Sequence, residues 1–108
     1  KLVYNLSMVA KAGDILDLIN TKKNDINKLG ITRVGLFGSF SRGDQNRESD
    51  IDLLVEFGKN KKNFKNYMGF VKLAERLFGR EVEVVTPESL SPYIAPYIKK
   101  EAKYVKTV

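Results

Sequence analysis

Asp50 and Asp52 stand two residues apart in the stretch GSFSRGDQNRESDID, directly before the apolar run Leu53-Leu54-Val55. At strand spacing both side chains point to one face, with Cα atoms roughly 6 to 7 Å apart. Two such carboxylates repel unless a cation lies between them, and a hard divalent ion such as Mg2+ favours oxygen donors of this kind. The ordinary alternative is that Asp50 caps a turn after Ser49 and Asp52 is a strand-edge charge. A third acid weighs against it. In REVEVVT the side chains alternate, so Glu81 and Glu83 share one face while Val82 and Val84 share the other. If that strand pairs beside the one carrying Asp52, Glu83 faces the same site, and three acids can serve one or two metal ions. Otherwise Glu81 and Glu83 form the solvent face of a half-buried strand.

The polar turn ahead of the acids has the makings of a phosphate cradle. Gly38 lets the backbone turn tightly, Ser39 offers a hydroxyl and an N–H at the expected start of a short helix, and Arg42 presents a fork of donors. It is not a Walker loop, because no Gly-Lys-Ser or Gly-Lys-Thr follows. Alone, Gly-Ser-x-x-Arg-Gly is an ordinary polar turn. Next to an acid pair of metal-binding type, it suits a metal-bound nucleotide triphosphate.

Composition narrows the chemistry further. The 108 residues contain neither cysteine nor histidine, which excludes thiolate ligands, disulfides and imidazole catalysis. Catalysis must therefore run on carboxylates, hydroxyls, Lys, Arg, Tyr or an oxygen-bound metal. The length suits a single domain over residues 1 to 108. No apolar run approaches the roughly 20 residues of a membrane span, and KLVYNLSMVAKAGD lacks a secretory pattern, so a cytoplasmic protein is expected. A net charge of +6 favours anionic partners, although a solvated lysine-rich surface explains it equally well.

These residues need a scaffold, and the periodicity supplies one. Ile15, Ile19, Ile26 and Leu29 predict a helix over residues 14 to 29 with Asp14 as N-cap and Gly30 past its end. ITRVGLF (31 to 37) and IDLLVEF (51 to 57) read as strands, with Ile51, Leu53 and Val55 facing the core. Phe64, Tyr67, Met68, Val71, Ala74 and Phe78 make a helical stripe over 63 to 78, ended by Gly79. REVEVVT (80 to 86) is a strand, while the tail SPYIAPYIKKEAKYV offers at most a helical turn or two. LVYNLSMVA fits neither period. The order predicts an α/β (α+β) fold with a small mixed sheet of at least three strands and helices on one face. A full helix between the strands at 51 to 57 and 81 to 86 suits a parallel crossover.

The string LFGSFSRGDQNRESDIDLLVEF closely resembles the signature of the polymerase-beta-like nucleotidyltransferase superfamily: Gly-Ser, a spacer, Arg-Gly, then Ser-Asp-x-Asp and an apolar strand. The short length and the ending EVEVVTPESLSPYIAPYIKKEAKYV are similar to the minimal nucleotidyltransferases, over about Gly30 to Val105. The resemblance implies a nucleotidyltransferase fold, ATP with one or two Mg2+ ions, and transfer of a nucleotidyl group to an acceptor. By motif position, Gly38 and Ser39 would hold the triphosphate with help from Arg42. Asp50 and Asp52 would bind metal, and Glu83 stands where the family usually has its third Asp. The resemblance also implies the role of an antitoxin that modifies a tyrosine of a HEPN-type toxin with AMP. With no substrate domain, the acceptor must come from another chain or a second copy. Tyr93, Ile94, Tyr97 and Ile98 are either a docking surface for it or packing for the domain's own sheet. Glu83 is a departure: its extra methylene moves the carboxylate by about a bond length and a half, and metal-site catalysis is sensitive to displacements near 1 Å. That supports a second reading, a nucleotide-binding interaction protein that neutralises its partner without turnover. Nucleic-acid binding through Lys59, Lys61, Lys62, Lys65 and the tail is disfavoured, because stacking aromatics and a recognition helix are absent from the pattern.

Overall fold

Residues 9 to 108 are described in the computed structural model. The elements are α1 (Ala12–Thr21), α2 (Lys23–Lys28), β1 (Ile31–Phe37), α3 (Gly38–Arg42), β2 (Ile51–Phe57), α4 (Phe64–Phe78), β3 (Val82–Val85), a 3-10 turn (Pro87–Ser89), α5 (Ala95–Glu101) and β4 (Lys103–Lys106). Most of LVYNLSMVA lies outside the described residues. None of the described helices is long and apolar enough to cross a membrane.

The strands form one mixed sheet in the order β3-β2-β1-β4. β1 is antiparallel to both β2 and β4, whereas β2 and β3 run parallel, joined across α4 as the crossover pattern predicts. Ile51, Leu53 and Val55 are fully buried and join Val34, Leu36, Phe40, Phe70, Ala74 and Phe78 in one core beneath the helices. Alternation then sends Asp52 to the opposite face of β2.

Four differences from the sequence reading have local causes. The helix over 14 to 29 is two helices, α1 and α2, broken at Lys22, so Ile15 and Ile19 are buried from one segment and Ile26 from the other. Asp14 is not the N-cap: Lys11 is, and the Asp14 carboxylate accepts from the Ala10 and Lys11 N–H groups at 2.8 and 3.2 Å. Asn63 caps α4, its side chain accepting from Asn66 N–H, but Phe64 points outward at 79% exposure, and Phe70 takes a place in the core. Finally, the tail contributes an edge strand, β4, which pairs Val34 with Val105 and Gly35 with Tyr104.

Candidate active site

The site grows from the end of β1. Phe37 is still extended, and Gly38 then turns the chain with φ +77°, a left-handed value that glycine adopts freely. A Cβ here would run into the Asp52 carboxylate, so the missing side chain is what lets turn and acid meet. Phe40 anchors α3 in the core at 1% exposure, an apolar contribution of roughly 2 to 3 kcal/mol. Gly38, Ser39 and Arg42 are left lining a cavity.

Sheet register brings the acids to the same place. Phe37 pairs with Asp52 across the antiparallel ladder, and Asp52 pairs with Glu83 across the parallel one. These three positions make a row across one end of the sheet. A cavity of about 530 Å3 is lined by Phe37, Gly38, Ser39, Arg42, Asp50, Asp52 and Glu83 from this region. Tyr97, Ile98 and Glu101 of α5 complete it. Its volume lies within the range of small-ligand pockets. All six residues singled out by sequence therefore share one cavity. Glu81, which alternation puts on the same strand face as Glu83, instead lines a separate hollow with Glu75, Gly79 and Arg80.

Electrostatics distinguish Asp52. Burial, then a hydrogen bond and charge from Glu83, then the charge of Asp50, push its carboxyl up from 3.8 to about 6, with Arg42 pulling the other way. Crowding of this kind is relieved either by a proton held between carboxyl groups or by a cation. The donor set, three carboxylates, fits a hard divalent ion in chemistry. Among the described residues, however, no three such side chains already stand in metal-holding geometry, so binding an ion requires the carboxylates to adjust.

Glu101 is the residue that sequence reasoning missed. Its Oε2 accepts from Gly38 N–H at 2.6 Å, and both of its oxygens lie 3.4 Å from Nη1 of Arg42. Nε of Arg42 donates to Asp44 at 3.3 Å. Ser41 Oγ donates to the Glu101 carbonyl at 3.1 Å, and Lys103 Nζ donates to the Ser41 carbonyl at 2.9 Å, which ties α5 and β4 to α3. One signal was available: Glu101 is the sole acid in the last 18 residues, set among Lys99, Lys100, Lys103 and Lys106. Tyr93 and Tyr97 are 86% and 77% exposed, and Tyr97 also borders the cavity.

Comparison with known proteins gives a consistent result. The model of the nucleotidyltransferase domain family matches residues 19–105. The chain is similar to the protein adenylyltransferase MntA of Thermococcus cleftensis, 30% identical over 96 residues, covering 85% of this chain and 93% of the relative. It is also similar to a Methanocaldococcus jannaschii protein provisionally named a protein adenylyltransferase, 36% identical over 81 residues, covering 73% and 81% of the two chains. Among solved structures, one provisionally described as a minimal nucleotidyltransferase aligns with TM-score 0.68 and 27% identity, covering 82% of this chain and 93% of that one. A toxin-antitoxin structure with AMP-PNP aligns with TM-score 0.59 and 25% identity, covering 76% and 70%.

Proposed function

The chain belongs to the nucleotidyltransferase domain family, and from that premise we propose that it transfers AMP from ATP to a hydroxyl of a partner protein, a tyrosine of a HEPN-type toxin, and so acts as an antitoxin. The observation that carries this reading is the convergence of Gly38, Ser39, Arg42, Asp50, Asp52 and Glu83 on one cavity. Similarity to a toxin-antitoxin structure with AMP-PNP supports both the nucleotide and the kind of partner.

In this reading the acceptor oxygen attacks the α-phosphorus in line, the bond to the bridging oxygen breaks, and pyrophosphate departs. Ser39 and the Gly38 turn bind the phosphates, and Arg42 offsets their charge. Asp50, Asp52 and Glu83 would hold Mg2+, which when bound neutralises phosphate charge and orients the reacting group. The alternative role for Glu83, which is exposed, is to take the acceptor proton instead of binding metal. The acceptor itself reaches the open side of the cavity, near Tyr97, from a second chain.

The second reading, a binder that neutralises its partner without modifying it, is favoured by one residue: Glu83 in place of the family's aspartate. Intact mass of the co-purified partner after incubation with ATP and Mg2+ separates the two. An added AMP, lost in the Asp50→Asn and Asp52→Asn double variant while binding to the partner persists, is the expected result. An unmodified partner in a tight complex would favour the binder, and undiminished transfer by the double variant would overturn the site assignment.

A further inference from the structure

Arg80 lies outside the cavity but touches both halves of what surrounds it. It follows Gly79, which ends α4 with a left-handed φ of 63°. The side chain is half-buried, yet among the described residues it forms no ion pair with a carboxylate. Its Nη1 donates instead to two backbone carbonyls, Ser49 at 2.8 Å and Arg47 at 3.2 Å. The guanidinium also lies over the ring of Phe40, 5.2 Å from its centroid, within reach of a cation-π attraction. Nε is buried without a hydrogen-bond partner among the described residues. The neighbouring residue adds a second grip, because the Glu81 carbonyl accepts from Ile51 N–H at 3.1 Å.

Asp50 is thus bracketed. The carbonyl before it is held by Arg80, and the N–H after it is held by Glu81. Through Phe40, the same guanidinium rests on α3, which carries Ser39 and Arg42. We infer that Arg80 is a positioning residue that fixes the Asp50 backbone relative to the phosphate-binding turn, setting the spacing between metal-side and phosphate-side groups. The inference rests on the nucleotidyltransfer reading for its functional consequence, but not for the clamp itself. Lysine reproduces it only in part: an ammonium can donate to two carbonyls as Nη1 does, but it lacks the planar guanidinium that reaches them while lying over the Phe40 ring.

Two readouts on the whole chain test the idea. Backbone amide exchange, without nucleotide or metal, is compared for wild type, Arg80→Ala and Arg80→Lys. The Ile51 amide should exchange about tenfold faster in Arg80→Ala and by less in Arg80→Lys, with Val34 and Leu54 unchanged, as for a local opening. Binding of Mn2+ in the presence of ATP should weaken by about tenfold in Arg80→Ala, the scale of losing a group that orients metal ligands. Unchanged Ile51 exchange in a folded variant overturns the clamp. So does a loss of protection shared equally by Val34 and Leu54, which would make Arg80 a general stabiliser. Should Arg80→Ala not fold, Arg80→Lys decides by the same criteria. Selective opening at Ile51 in the variant, together with a wild-type protein that binds no Mn2+ with ATP, upholds the clamp and counts against the nucleotidyltransfer reading alone.

Discussion

At the scale of single residues, Asp52 carries a measurable consequence. Its carboxyl is raised from 3.8 to about 6, so the folded chain binds more protons than the unfolded chain between these values. Stability therefore falls as pH rises through that interval, opposite in sign to an acid held by a salt bridge. In EDTA, the melting temperature is expected to be higher near about pH 4 than near about pH 7 as far as this group contributes, and Asp52→Asn should flatten that part of the profile. Mg2+ should flatten it too, since a cation offsets the same crowding. A slope that is identical in the variant would assign the effect elsewhere. The placing of both acids on one cavity was legible in the sequence from their spacing at the entry to an apolar strand, although only Asp52 lies within β2 and Asp50 stands just before it. Asp52's special position within the pair was not. It depends on Glu83 being its cross-strand partner, a fact of register that no local pattern contains.

At the scale of elements, the β1–α3 turn is the most constrained piece. Gly38 and Gly43 both adopt left-handed φ, 77° and 83°, at the two ends of α3, but their surroundings differ. A Cβ at Gly38 meets the Asp52 carboxylate, and one at Gly43 meets nothing within 4 Å. Alanine at either place costs about 1 to 2 kcal/mol of backbone strain. At Gly38 alone it must also push Asp52 aside. Gly38→Ala is expected to lower transfer at least about a hundredfold, as for a displaced reacting group, whereas Gly43→Ala should leave it within about threefold. Equal losses in the two variants, measured on folded protein, would show that backbone strain and not the displaced acid is responsible.

The same scale explains what could be read from pattern. β1 and β2 were legible to the residue because each is a short apolar run with glycine next to it. The break at Lys22 was not, because Ile15, Ile19 and Ile26 keep helical spacing across it. Phe64 was misplaced because being apolar says nothing about what lies opposite the first turn of α4. β4 was missed because KYVK is only four residues long with a lysine at each end, a composition that suits a guarded sheet edge as well as a loop.

At the scale of the whole molecule, the C-terminal helix α5 and the middle of the chain meet at the cavity. The Glu101 contact to Gly38 spans 63 residues, and β4 lies beside β1 only because the tail returns across the molecule. A contact of that sequence separation leaves no periodic trace, so Glu101 could be noticed in the sequence only as an isolated acid among lysines. If the triphosphate uses the Gly38 turn and Arg42, it must first take them from Glu101. Glu101→Ala is then expected to bind ATP about three to ten times more tightly by calorimetry, because the fraction of molecules ready to bind rises. Weaker or unchanged binding would mean that Glu101 shapes the turn and does not compete for it.

Seen from the ligand, α5 brings its own rival to every encounter. The Glu101 carboxylate is tethered, so its effective concentration is fixed however dilute the protein becomes. An anion of low charge must contend with it on nearly equal terms. A polyphosphate brings several charges to the same guanidinium and backbone N–H, and so has the advantage. On the nucleotidyltransfer reading, the cavity would therefore discriminate by valence, favouring a polyphosphate over orthophosphate and other small anions before the shape of any base is consulted.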